Sequence, residues 1–152
     1  RHQRVQDVMA RKARGCDLAL DMNTEVEMEG TLPDGGKDSA TVRVCTIVPF
    51  IIMKGMALAD RMKEKDAWDI YFCMLHFPGG IEALAAKFQP HLKNVLVREG
   101  LQKISNKFAS PEHIGPKWVA DFDELTDSEA RSIRQRDAYE RVRLLLERLG
   151  IQ

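Results

Sequence analysis

The sequence predicts an α+β fold, in which a short antiparallel β-hairpin or partial sheet precedes a bundle of about five helices. Three observations lead there. Residues 24–32 alternate apolar and polar, and a largely apolar strand segment, 41–48, follows beyond a Pro33-Asp34-Gly35-Gly36 turn. From Pro49 onward the apolar residues recur three and four positions apart. The strands come first and the helices after, rather than in alternation. The expected organisation is a sheet region with an N-terminal basic helix over residues 1–48 and a helical bundle over 49–152, packed as one unit.

The elements follow in order. Arg1 to Arg14 carries Arg1, Arg4, Arg11, Lys12 and Arg14 against Asp7, with Val5, Val8 and Met9 at helical spacing. This reads as a short helix with a basic outer face, ended by Gly15. Cys16 to Leu20 reads as a short strand between Asp17 and Asp21. Thr24 to Leu32 sets Val26 and Met28 on one face and Glu25, Glu27 and Glu29 on the other, a half-buried strand. Thr41 to Val48 is its hairpin partner, apolar on both faces and so expected inside a larger sheet. Pro49 suits the first turn of a helix. That helix carries Phe50, Met53, Ala57 and Leu58 as its apolar stripe and Lys54 and Arg61 two turns apart near one face.

Asp66 opens a second helix with Ala67, Ile70, Tyr71, Met74 and Leu75 inward, stopped by Pro78-Gly79-Gly80. Ile81–Phe88 and Asn94–Phe108 are the third and fourth. Trp118, Val119 and Phe122 begin a less regular apolar segment. The last helix runs from Glu129 to Leu149, capped by Asp127 or Ser128, with Ile133, Ala138, Val142, Leu145, Leu146 and Leu149 on its buried side.

Composition narrows the function classes. The chain of 152 residues is 44% hydrophobic and 30% charged, ordinary globular material. Lys plus Arg and Asp plus Glu are both 23, so no net field draws in nucleic acid or an anionic membrane. The longest apolar run, Val44 to Met53, is too short to span a bilayer. Cys16, Cys45 and Cys73 have no paired spacing, and read as buried free thiols in a reducing cytoplasm. His2, His76, His91 and His113 have no ligand spacing.

The chemistry concentrates in Lys54 to Asp69. In the functional reading Lys54 and Arg61 on one helix face carboxylates, Asp66 and Asp69, at the start of the next. Cations of this kind bind a triphosphate and offset the charge that develops on its transfer. A neighbouring carboxylate fixes the lysine and can accept a proton. The competing reading is structural, with Asp66 as helix cap, Asp69 three residues on, and solvated Arg61, Lys63 and Lys65. Asp121-Phe122-Asp123 is a D-x-D pair ahead of a helix without the glycine-rich turn that a two-metal site would need. Asp17 or Asp21 could present a single strand carboxylate.

The segment KGMALADRMKEKDAWDIYF is similar to the lysine-then-DxxD segment of the AbiEii/AbiGii toxin family of nucleotidyltransferases, within the DNA polymerase β-like superfamily. EGTLPDGGKDSATVRVCTIVPFIIMKG resembles the strand hairpin that leads into it, and YFCMLHFPGGIEAL and DAYERVRLLLERLG resemble the helical part that follows. The resemblance implies a mixed sheet followed by a helical bundle, and Mg²⁺-dependent transfer of a nucleotide from an NTP to an RNA acceptor such as a tRNA end, or to a protein. It implies Lys54 and, as a looser match, Arg61 as NTP-binding, and Asp66 and Asp69 as the catalytic pair. An antitoxin protein is an implied partner, and homo-oligomers are a further expectation. The family's glycine turn and strand-borne D-x-D, which hold the metals, have no counterpart here. A lost N-terminal half, a truncated gene product and a degenerate relative are the three explanations; the start at Arg1, the basic start and the orphan strands favour the C-terminal part of a longer protein, inactive alone and binding neither Mg²⁺ nor NTP by itself. The rival function is a non-enzymatic helical interaction or antitoxin-binding module.

Overall fold

The computed structural model describes residues 2–5, 8–11 and 13–151. Two antiparallel hairpins and a short helix precede six α-helices, so the α+β class and its strands-first order hold. The first hairpin pairs β1 (His2–Val5) with β2 (Val8–Arg11), with Val5 opposite Val8 and His2 opposite Arg11. The basic helix expected here is therefore overturned. An isolated helix this short is marginal in water, and the β-branched valines favour strand. Arg1, Asp7 and Lys12 of that expectation lie outside the described residues.

Gly15, at φ 87°, does not end a helix but turns the chain into one, α1 (Cys16–Asp21). This corrects the strand expected at Cys16 to Leu20. Its Leu and Ala residues are good helix formers, and five residues are too few to show a period. Leu18 is its anchor in the core, while Leu20 stays exposed.

β3 (Asn23–Thr31) and β4 (Lys37–Cys45) form the second hairpin, in register from Asn23 opposite Cys45 to Thr31 opposite Lys37. Gly35, at φ 86°, makes the turn, and Leu32 N–H donates to the Gly36 carbonyl at 2.7 Å. Three expectations fail here. β4 stops at Cys45, because Thr46 flanks the next helix and Ile47 and Val48 enter it. Among the described residues the hairpin joins no larger sheet and is not half-buried. Val26, Met28 and Val44 are 40%, 59% and 44% exposed on one face, with Glu25, Glu27 and Glu29 on the other.

The helical part is α2 (Ile47–Arg61), α3 (Glu64–His76), α4 (Gly80–Phe88), α5 (Val95–Lys107), α6 (Ile114–Phe122) and α7 (Ser128–Arg148), with a 3-10 turn at Gln89–His91. Pro49 does sit in the first turn of α2. The Asn94 side chain caps α5 by accepting from the Leu96 and Val97 amides, and Asp127 caps α7 by accepting from Ala130. Ile51, Ile52, Leu58, Ile70, Leu84, Phe88, Leu101, Ile104, Val142 and Leu145, all fully buried, form one continuous core.

Sequence reading passes over α6, because Gly115 and Pro116 look like breakers. Proline is tolerated in a first turn. Gly115 is needed because a Cβ there would lie 2.5 Å from the Lys107 carbonyl oxygen. Ile133 is not on the buried side of α7 but 63% exposed. That half of α7 docks by charge instead: Arg131 pairs with Asp121, Arg134 with Asp123, and Asp137 accepts from the Tyr71 hydroxyl at 2.6 Å.

α2 and α5 cross almost backbone to backbone. A Cβ on Gly55 would meet Ile104 Cγ1 at 2.7 Å and the Gly100 carbonyl oxygen at 2.8 Å, and one on Gly100 would meet Ile52 Cγ2 at 2.7 Å. Replacing Gly55 by alanine should lose about 1–3 kcal/mol to overpacking, more than the ~1 kcal/mol that alanine gains in helix propensity. A denaturant titration checks this. The midpoint should fall with an unchanged slope, and a midpoint equal to or above wild type would contradict the close crossing.

Candidate active site

α2 and α3 are joined by two residues. Met62 takes a left-handed φ of 49° and Lys63 is extended, so the chain reverses at once. This sets the last two turns of α2 against the first turn and a half of α3. α3 begins at Glu64, two residues before the expected Asp66, and Lys63 precedes it without a side-chain cap bond. Asp66 is thus not a cap, and the capping alternative is corrected. It lies inside the first turn and points at α2.

Lys54, Arg61, Asp66 and Asp69, singled out by sequence, meet there. Arg61 holds Asp66 with two prongs, Nε donating to Oδ2 and Nη2 to Oδ1, both at 2.7 Å. Lys54 Nζ donates to Asp66 Oδ1 at 3.1 Å and lies 2.5 Å from Asp69 Oδ2. Lys65 Nζ, one turn before Asp69, donates to Asp69 Oδ1 at 2.9 Å. Asp66 is fully buried and Asp69 is 8% exposed. Among the described residues no buried side-chain polar atom lacks a partner.

Burial alone would push the Asp66 carboxyl up. The hydrogen bonds from Arg61 and Lys54, with their charges, outweigh it and hold the group below the ordinary carboxylate range. Burial likewise works to lower Lys54, and its bonds to Asp69 and Asp66 more than compensate, raising it. Both groups stay charged at neutral pH. Close by on α3, burial pushes the Cys73 thiol up to about 11, so it is no nucleophile. Burial and the bond to Asp137 push Tyr71 up to about 12.

The cations also face a groove. A cavity of about 280 Å³ lies between the segment Ala13–Cys16 and α2, walled by Arg14, Lys54, Asp60 and Arg61 over Met53, Met56 and Ala57. Asp66 and Asp69 do not line it. They stand behind Lys54 and Arg61 and hold them. Nor do they fit Mg²⁺: three cations already take their oxygens, and no cluster of three or more metal-ligating side chains occurs among the described residues. What the arrangement can do is present fixed positive charge and spare N–H donors to an anion.

Other candidates disperse. Asp121 and Asp123 are taken by Arg131 and Arg134, and Trp68 Nε1 donates to Asp123 Oδ1 at 2.7 Å. Asp17 and Asp21 belong to α1, not to a strand. His113 Nδ1 lies 2.9 Å from the Lys107 carbonyl, and His76 packs on Phe72. Cys16 is exposed rather than buried, and Cys45 and Cys73 are half-buried. Sequence reading placed Arg14 only on a basic outer face and missed that it reaches Glu99, 85 positions away, since no local pattern marks that pair. It also left Lys65 solvated, although its i,i+4 spacing to Asp69 was visible.

Asp66 links the site to pH. Its folded carboxyl lies below the unfolded value of 3.8, so its contribution is complete above that value and is lost as pH falls through the folded one. Asp66→Asn should cost about 2–4 kcal/mol at neutral pH, a broken buried pair discounted for the half-exposed Arg61. The variant should also lose less stability than wild type between about pH 5 and pH 2. Urea midpoints across that range check it, and parallel pH curves would contradict it.

No helix among the described residues is long and apolar enough to cross a membrane. No family model, curated protein or solved structure matches the chain.

Proposed function

We propose that the chain is the C-terminal part of a nucleotidyltransferase resembling the AbiEii/AbiGii toxins, and that it supplies the cationic half of an NTP site. One observation carries the reading. Lys54 Nζ is gripped by both Asp66 and Asp69 at the wall of a groove that Arg61 also lines. A lysine serving only to neutralise buried carboxylates has no need of an open side. Lys54 keeps 20% of its side chain exposed and has a third N–H to give.

In this reading Lys54 and Arg61 bind the phosphates and offset the charge that grows as a nucleotide leaves for its acceptor, an RNA end or a protein. Asp66 and Asp69 keep the lysine charged and aimed. Mg²⁺, where the complete enzyme uses it, has its ligands elsewhere.

The test is transfer from radiolabelled NTPs to tRNA and to the protein itself, using the full-length protein. Lys54→Gln should cut transfer by about a hundredfold or more while the fold persists by circular dichroism. Undiminished transfer would remove Lys54 from the site.

The rival reading, a non-enzymatic interaction or antitoxin-binding module, draws on the β3–β4 arm. A lone two-stranded hairpin with an open apolar face is marginal in water. If the arm is the working part, Val26→Asp with Met28→Asp abolishes capture of the cognate antitoxin or self-association in sedimentation, and leaves transfer untouched.

A further inference from the structure

We infer that Arg14 is a third phosphate-binding residue of the groove, held in reserve by Glu99 and handed over when the polyphosphate tail of a nucleotide arrives. This rests on the reading of Lys54 and Arg61 as NTP-binding, and adds to it a residue far from their segment and a switch in its use.

The groove is small. At about 280 Å³ it falls at the lower edge of small-molecule sites. It has room for a polyphosphate but not for a whole nucleoside triphosphate, so the base and sugar extend beyond it. Two walls are cationic, Lys54 and Arg61 from α2 on one side and Arg14 from the turn ahead of α1 on the other. Each keeps donors free of partners among the described residues. Lys54 uses two of its three N–H groups on Asp66 and Asp69, and Arg61 uses Nε and Nη2 on Asp66, leaving Nη1. Arg14 gives Nε and Nη2 to Glu99, at 2.8 and 2.5 Å, and also keeps Nη1.

The three cations differ in how tightly they are held. The partners of Lys54 and Arg61 are buried carboxylates. Arg14 and Glu99 are 55% and 28% exposed, and a solvated pair of this kind is weak. Glu99 also has a second cation, Lys103, at 3.4 Å, so it is not left unpaired when Arg14 departs. Arg14 stands directly before Gly15, whose φ of 87° sets the turn into α1 and leaves Arg14 at the groove's edge. Asp60 opposes an anion at the rim, but it is itself 61% exposed, with Lys103 Nζ 3.5 Å away. A planar guanidinium exchanging one bidentate oxyanion partner for another needs only a rotation.

The experiment is equilibrium binding of ATP and of inorganic tripolyphosphate to the full-length protein as wild type, Arg14→Gln, Glu99→Gln and Lys54→Gln, with melting curves of each as a fold control. Arg14→Gln should weaken both ligands about three- to tenfold. Glu99→Gln, which frees the arginine, should tighten both by a similar factor and steepen the loss of affinity with salt. Arg14→Gln at wild-type affinity, or Glu99→Gln no tighter than wild type, overturns the inference. If that happens while Lys54→Gln loses binding, only the role of Arg14 falls. If Lys54→Gln binds as wild type, the NTP site itself is misplaced. If neither wild type nor Glu99→Gln binds either ligand at millimolar concentration, both readings fall.

Discussion

Two ionised carboxylates cannot be buried between helices without cations to meet them, and this requirement orders the middle of the chain. Asp66 has no exposure at all and Asp69 very little. Moving such a group out of water costs several kcal/mol, recovered only by close, well-directed partners. Arg61 and Lys54 from α2 are those partners, with Lys65 of α3 adding a third cation on Asp69. The two-residue link through Met62 follows, because a longer loop would let Arg61 and Asp66 drift apart. The left-handed backbone at Met62, which a non-glycine side chain adopts at a cost of about 1 kcal/mol, is tolerated for the same reason.

The other side of α2 explains why the arrangement is rigid. Lys54 directly precedes Gly55, and Gly55 is pressed against α5 with no room for a single carbon. α2 cannot roll to relieve a poor ion pair without clashing there. The lysine is fixed from behind by packing and in front by charge. A group that must meet developing charge without reorganising needs this kind of support. The groove then follows from the chain's entry, since Arg14 and Gly15 lead into α1, which lies along α2.

Much of this was legible. Lys54 and Arg61, seven apart, had to share a helix face, and Asp66 and Asp69, three apart, had to share another, so their meeting followed from helical spacing once two helices were assigned. The helices α2 to α5 and α7 were visible from apolar periodicity and from Pro78-Gly79-Gly80. What failed did so for physical reasons. The valine spacing of residues 5–9 fits a helix on paper, but so few residues cannot show that a hairpin forms instead. The alternation in β3 reports two chemically different faces, yet it is silent on whether either is covered. Ile133 follows the helical stripe but sits where α7 docks through arginines. The Arg14–Glu99 pair joins distant positions and leaves no local mark.

In the proposed site Lys54, Asp66 and Asp69 act as one unit on a bound triphosphate, with the carboxylates working only through the lysine. A double-mutant cycle on ATP affinity in the full-length protein tests this most directly. Lys54→Gln should lose most of the binding, and adding Asp69→Asn to it should cost almost nothing more, although Asp69→Asn alone weakens binding. Independent, additive losses would show that the carboxylate meets the nucleotide by its own route and would contradict this view of the site.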